Sequence, residues 1–249
     1  MTTLSNLTAG TDVDGNTTAT TASITLTANR LALLGVINWE TFLSTTPATP
    51  TCSGWAQVAT NLFDDNGAGR ARLTVFRRMG GSNSTGTHTI DCGATNQAVL
   101  RWSIDETDAD VDTGGTNGSG AVVQSATGAS SASASVSATL AAFGSASNAT
   151  YGCFGFVGDA GTTALDLTVG TGFTQLAEQV AGGNTFDAGL LTQYRTDNDT
   201  SVDATVNTTS IANGAIAIEI AAAPAGDPEG KLVGGKLTGG GLLIRGVLV

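Results

Sequence analysis

Short runs in which apolar and polar residues alternate, each closed by Gly, Asn, Asp or Pro, dominate this chain and point to β-structure. In 22–26 (ASITL), Ala22, Ile24 and Leu26 share one face while Ser23 and Thr25 share the other. Leu31, Leu33 and Ile37 continue the pattern through Gly35, and 98–104 (AVLRWSI) aligns Ala98, Leu100, Trp102 and Ile104. Further runs are 71–79, 131–140, 151–157, 173–180, 189–195, 204–209 and 214–220. Only 138–146 (ATLAAFGSA) has the makings of a helical turn. Ten or eleven strands at this spacing have the rhythm of a sandwich or jelly roll. The expected fold is all-β, a jelly-roll-like antiparallel β-sandwich.

Composition agrees. Glycine makes up 34 of 249 residues and only 12% are charged, so small residues and threonine fill the chain, which suits flat strands and turns. No linker divides residues 1–222; the composition changes at 221–228 (AAAPAGDP), where Pro224 and Pro228 cannot donate ladder hydrogen bonds. The expected organisation is a body of 1–222 and an extended arm of 223–249.

The arm ends GKLVGGKLTGGGLLIRGVLV. It holds Lys231, Lys236 and Arg245, three of the ten basic residues of a chain whose net charge is −11. It is too glycine-rich for a helix and too short for a membrane span. Its alternation reads as strand with little to pack on in its own fold, which fits pairing with an edge on another chain. The residues expected to make that contact are Lys231, Leu232, Lys236, Leu237, Leu242, Leu243, Ile244 and Arg245. The acidic body argues against nucleic acid as a partner.

Residues 1–20 show neither a basic segment nor an apolar core, so no secretion signal is expected. Cys52, Cys92 and Cys153 are odd in number and lack CxxC spacing. Free buried thiols are the plain reading, with a Cys52–Cys92 bridge the alternative.

Chemistry-bearing motifs are sparse. His88 is the only histidine and no GxSxG stands near it, so a structural histidine is expected; one histidine and scattered cysteines do not make a usual zinc site. In 105–112 (DETDADVD), Asp108, Asp110 and Asp112 have the spacing that begins calcium loops. The glycine comes one place late, though, and Ser119 stands where a bidentate Glu is wanted. A solvated acidic turn is the competing reading, and Asp12-x-Asp14 and Asp197-x-Asp199 are shorter echoes. Glu40, Glu106, Glu178 and Glu219 are the acids a glycosidase would draw on. The glycine-rich 114–120 (GGTNGSG) lacks the context of a phosphate loop. Arg70, Arg72, Arg77 and Arg78 crowd one strand and suit pairing with Asp64, Asp65 or a neighbouring subunit. No catalytic residue and no cofactor is expected.

The runs 112–126 (DTGGTNGSGAVVQSA), 138–152 (ATLAAFGSASNATYG), 172–177 (GFTQLA) and 197–204 (DNDTSVDA) resemble a β-sandwich family of tailed-phage genomes. The LVGG and LTGG punctuation of the arm is similar to that of small phage virion proteins. The resemblance covers most of 20–222 and implies a virion component that decorates or cements the outer head. Assembly would then take place in the host cytoplasm. Its expected partner is the major capsid protein or another virion protein, and its expected state, by analogy, is a homotrimer. The alternative is a fibre or tail-tip module that binds host-surface glycan. Neither expectation involves a membrane.

Overall fold

The computed structural model describes residues 1–13, 15–40, 46–64, 70–93, 99–131, 133–158, 165–180, 187–207 and 211–224. The described residues form strands and turns without a helix. Residues 138 and 139 lie in a strand and 140–148 run on irregularly, so the helical turn expected there does not form.

The first half of the chain contributes β1 (Leu4–Asp12), β2 (Thr18–Thr20), β3 (Ile24–Leu26), β4 (Ala32–Glu40) and β5 (Thr51–Cys52). It continues with β6 (Ala56–Asp64), β7 (Arg70–Arg78), β8 (Ser84–Gly86), β9 (Thr89–Asp91) and β10 (Val99–Thr107). The second half contributes β11 (Val122–Ser130), β12 (Ser135–Thr139), β13 (Ala149–Gly158) and β14 (Leu167–Val169). It ends with β15 (Thr174–Gln179), β16 (Asp187–Arg195), β17 (Ser201–Val206) and β18 (Ile211–Ile220).

Each half builds one five-stranded antiparallel sheet, in the orders β1-β10-β4-β7-β6 and β11-β18-β13-β16-β15. These are the same topology: first, last, second, fourth and third of the long strands. The small sheets repeat as well, β2-β9-β5 matching β12-β17-β14, while the β3-β8 pair is an addition in the first half. Register agrees across the repeat. Ala56 stands opposite Arg77 as Thr174 stands opposite Tyr194, and both ladders then slip by one residue, at Gln57/Ala59 and at Gln175/Ala177. The chain is an internal duplication in which each half crosses between a large sheet and a small one, as sandwich strands do.

The two large sheets pack face to face, and each small sheet covers the outer face of its own large sheet. Three apolar layers result. The central layer takes Leu33, Ile37 and Trp39 from β4 with Tyr151, Cys153 and Val157 from β13. The alternate residues of β4, namely Ala32, Leu34 and Val36, enter an outer layer with Trp55, Ile90 and Trp102. On the far side, Phe154 and Phe156 of β13 meet Val202 and Ala204 of β17. Central strands are therefore buried on both faces, and all nine residues of β10 are buried. Each large side chain so enclosed contributes about 1.5–3 kcal/mol relative to exposure.

The contacts between the large sheets follow an approximate two-fold axis. β6 lies against β18 and β11, as β15 lies against β10 and β1, while β4 meets β13 near the axis. Glycines make room where this packing is closest: a Cβ on Gly214 would meet Phe63 Cδ1 at 2.4 Å, and one on Gly155 would meet Ile37 Cδ1 at 2.8 Å.

The closest approach in the second half is backbone on backbone, where β11 crosses β12. A Cβ on Gly128 would lie 1.8 Å from the carbonyl oxygen of Ser137, and the Gly128 carbonyl accepts a 2.6 Å bond from Asn61 Nδ2. No side-chain rotation relieves such a clash. Gly128→Ala is expected to cost about 3 kcal/mol in urea denaturation, while Gly144→Ala, with nothing within 4 Å, changes stability little.

Candidate functional site

Among the described residues, a cluster of buried polar and ionisable groups lies between the two large sheets. Along β10 the residues Arg101, Ser103, Asp105 and Thr107 alternate with Leu100, Trp102 and Ile104. In a two-layer sandwich that polar stripe would face water. Here the second half covers it, and Asp105 is 0% exposed.

Asp105 is held from both sheets. From its own sheet, Asn6 Nδ2, at the bulge of β1, donates to Oδ1 at 2.9 Å, and Ser103 Oγ donates to Oδ1 at 3.0 Å. From the opposite sheet, the Tyr151 hydroxyl donates to Oδ2 at 3.0 Å. Thr192 Oγ1 lies 3.4 Å from Ser103 Oγ and also faces the carboxyl. Burial disfavours the charged form and moves Asp105 from 3.8 to about 6, while the bonds from Asn6, Thr192, Ser103 and Tyr151 work the other way. Burial likewise pushes the Tyr151 phenol and the Cys153 thiol well up, with the Asp105 charge adding to both. A carboxyl that accepts from both halves and changes charge near neutrality couples their packing to pH.

The other acids named from the sequence serve as local staples. Asp108 accepts from Thr3 N at 3.1 Å, Thr3 Oγ1 at 2.7 Å and Asp110 N at 3.0 Å. Partial burial opposes its ionisation, yet these bonds hold its carboxyl below the usual range. Asp110 pairs with the Met1 ammonium, and Asp112 Oδ1 caps its own turn by accepting from Gly114 N at 2.6 Å. Among the described residues no three His, Cys, Asp or Glu side chains are grouped so as to hold a metal ion. Asp197 and Asp199 close on a cation of the chain itself: Arg195 donates to Asp197 Oδ2 at 2.9 Å and to Asp199 Oδ2 at 2.7 Å.

Glu106 and Glu219 occupy equivalent places in the duplication, opposite Ala32 and Thr150 of the second long strands, and both are buried. Glu106 accepts from Thr27 N at 2.7 Å. Glu219 accepts from Asn148 Nδ2 at 2.6 Å and Gln124 Nε2 at 2.5 Å. Glu178 accepts from Leu167 N at 3.1 Å, and Glu40 ends β4.

Arg70 donates to Thr46 Oγ1 at 2.8 Å and stands across the ladder from Asp64; Asp65 lies outside the described residues. Arg72 donates to the Pro47 carbonyl at 2.8 Å. His88 is buried edge-on against Trp55, with ring centroids 5.4 Å apart, and burial, then Arg78, lowers its pKa. All three cysteines are buried and none forms a disulfide, so Cys52 and Cys92 are not bridged. The arm residues Lys231, Leu232, Lys236, Leu237, Leu242, Leu243, Ile244 and Arg245 lie outside the described residues.

Asp105 eluded the sequence reading because it belongs to the run DETDADVD, which reads as a solvated turn. The available signal was its phase: it stands in step with Arg101 and Ser103, on the face opposite Leu100, Trp102 and Ile104, in a strand that runs three residues past Ile104.

The pH dependence of Asp105 has a definite sign. The folded chain binds this proton more tightly than the unfolded chain, so its stabilising effect is full below 3.8 and is lost as pH rises through about 6. Asp105→Asn removes the titration. Urea denaturation of both proteins should show the native chain gaining about 2 kcal/mol on the variant between pH 7 and pH 4. A constant difference across that range would mean that Asp105 does not titrate in the fold.

Comparison of the chain with family models, curated proteins and solved structures returns no match.

Proposed function

We propose that this chain is a structural protein of a viral shell, an outer decoration or cement protein of a tailed-phage head, attached through the segment that follows β18. The resemblance of 112–126, 138–152, 172–177 and 197–204 supports the virion setting. The observation that carries the attachment is the clasp at the end of the body. Ala221 N donates to the Ala121 carbonyl and Asp112 N donates to the Ala221 carbonyl, both at 2.9 Å. Ala222 N donates to Asn148 Oδ1 at 3.2 Å, and Asn148 itself is held by the buried Glu219. Ala221 and Ala222 are therefore fixed beside β11, an edge strand of its sheet.

An anchor of this kind lowers the entropic cost of placing a basic, strand-forming segment on a neighbour. The body contributes rigidity: stacked sheets, buried acids used as hydrogen-bond acceptors and thiols shielded from solvent. Such a protein needs no catalytic group, and a trimer at a symmetry axis of the shell is the oligomer proposed.

A second reading, adhesion to glycan, draws on a groove of about 600 Å³ lined by Ser130, Ser133, Ser135, Ser137, Ser201 and Asp203. Its hydroxyls suit a sugar, but no aromatic side chain lines it. Trp39, Trp55 and Trp102 are all buried and offer no stacking platform.

Truncation after Pro224 separates these readings. The shortened body should fold with unchanged stability yet lose at least about a hundredfold in affinity for shells stripped of this protein. Undiminished saturation of those shells by the truncated chain refutes attachment through the arm. Retention on a glycan array that disappears in Asp203→Ala would favour adhesion instead.

A further inference from the structure

The duplication allows one half to be compared with the other, side chain by side chain. The segments that lead into β6 and β15 and form their first residues are Gly54-Trp55-Ala56-Gln57-Val58-Ala59 and Gly172-Phe173-Thr174-Gln175-Leu176-Ala177. Both glycines take the left-handed backbone, with φ of 81° and 83°, and both turns close with a 3.1 Å backbone bond, Trp55 N to Cys52 O and Phe173 N to Gly170 O. Over each glycine lies the arginine that ends the fourth long strand. A Cβ on Gly54 would stand 3.6 Å from Arg78 Nη1, and one on Gly172 would stand 2.9 Å from Arg195 Nη1. Arg78 and Arg195 are the same position in two copies.

Their surroundings differ. After Arg195 the chain turns back, and Asp197 and Asp199 neutralise the guanidinium. After Arg78 the chain leaves in another direction. Gly80 O accepts from Asn29 N, Asn83 Oδ1 accepts from Ala28 N, and β8 pairs with β3. Among the described residues no carboxylate pairs with Arg78. Where the acidic loop lies in the second half, the first half has an open groove of about 330 Å³ lined by Ser53, Arg78, Ser84, Thr85, Thr87 and His88. His88 is 9% exposed and forms one wall of the groove; its Nδ1 accepts from Trp55 Nε1 at 3.5 Å, and its Nε2 is itself buried. A guanidinium and several hydroxyls form a donor-rich pocket in an otherwise acidic protein.

We infer that the groove at Arg78 binds an aspartate-bearing peptide segment of a partner protein, supplying from outside the carboxylates that Asp197 and Asp199 supply to Arg195 from within. The occupied copy favours peptide over sugar acid, because its ligand is an Asp-x-Asp turn presented by backbone. The inference is independent of the shell reading.

The test uses the full-length chain, isotopically labelled, and a blocked peptide of sequence TDNDT, that of residues 196–200. Titration should shift the Trp55 indole and the His88 ring resonances, and the effect should weaken as salt is raised. The TNNNT peptide should not bind. Arg78→Gln should lower affinity at least about tenfold. Ser53→Asp, which places a competing carboxylate beside Arg78 on an exposed residue, should do the same while the spectrum stays that of the folded chain. Equal binding of TDNDT to the native chain and to either variant overturns the site. Binding of glucuronate in preference to the peptide, or no binding of TDNDT at all, overturns its assignment to a peptide.

Discussion

Everything in this molecule depends on the face-to-face contact of its two five-stranded sheets. Covered by its own small sheet, each large sheet still leaves one broad apolar face, carrying Leu33, Ile37 and Leu73 in one half and Ile216, Ile218 and Leu190 in the other. Neither face tolerates water, and each finds its complement in the other. Burial of the central strands on both sides follows, and so does the enclosure of Asp105. A carboxyl on the second side of β10 has nowhere to go but into the seam.

The polar groups in that seam select one way of docking. Apolar sheets slide over one another at little cost, whereas Tyr151 reaches Asp105 Oδ2 only in one register. Breaking that bond leaves a buried acceptor unsatisfied, a penalty of about 1–3 kcal/mol. Phe63, seated over Gly214 and Gly155, acts in the same direction by shape. The seam thus combines a general attraction with a few specific locks.

Much of this was legible in the residues, and the failures share a cause. Strands rich in large apolar side chains, such as β4, β7, β10, β13 and β18, were plain in the sequence. Three of the four edge strands of the large sheets were not: β1, β6 and β11 alternate small and polar residues, and few of their positions are buried. Stacking of four layers was also hidden, because a strand covered on both sides by alternating Ser, Thr and Leu reads as one with a wet face. The duplication survives in sequence chiefly as GWAQVA against GFTQLA, too short to stand out until the strand orders were seen to coincide. Glu106 and Glu219, by contrast, were noticed individually but for catalysis, although both serve as acceptors beneath the ends of equivalent strands.

The approximate two-fold axis carries a consequence for how such a chain changes over time. Two identical halves that meet about a true axis must each be complementary to themselves, so any substitution appears twice and must be tolerated twice. Joining them through 108–121 removes that obligation and raises the local concentration of one half at the other far above what free association would give. Each half is then at liberty to specialise. Phe63 needs no counterpart at its symmetry-related place, and Arg78 has diverged from Arg195 without disturbing the seam. A covalent dimer keeps the architecture of a symmetric one while presenting two chemically different ends to the outside.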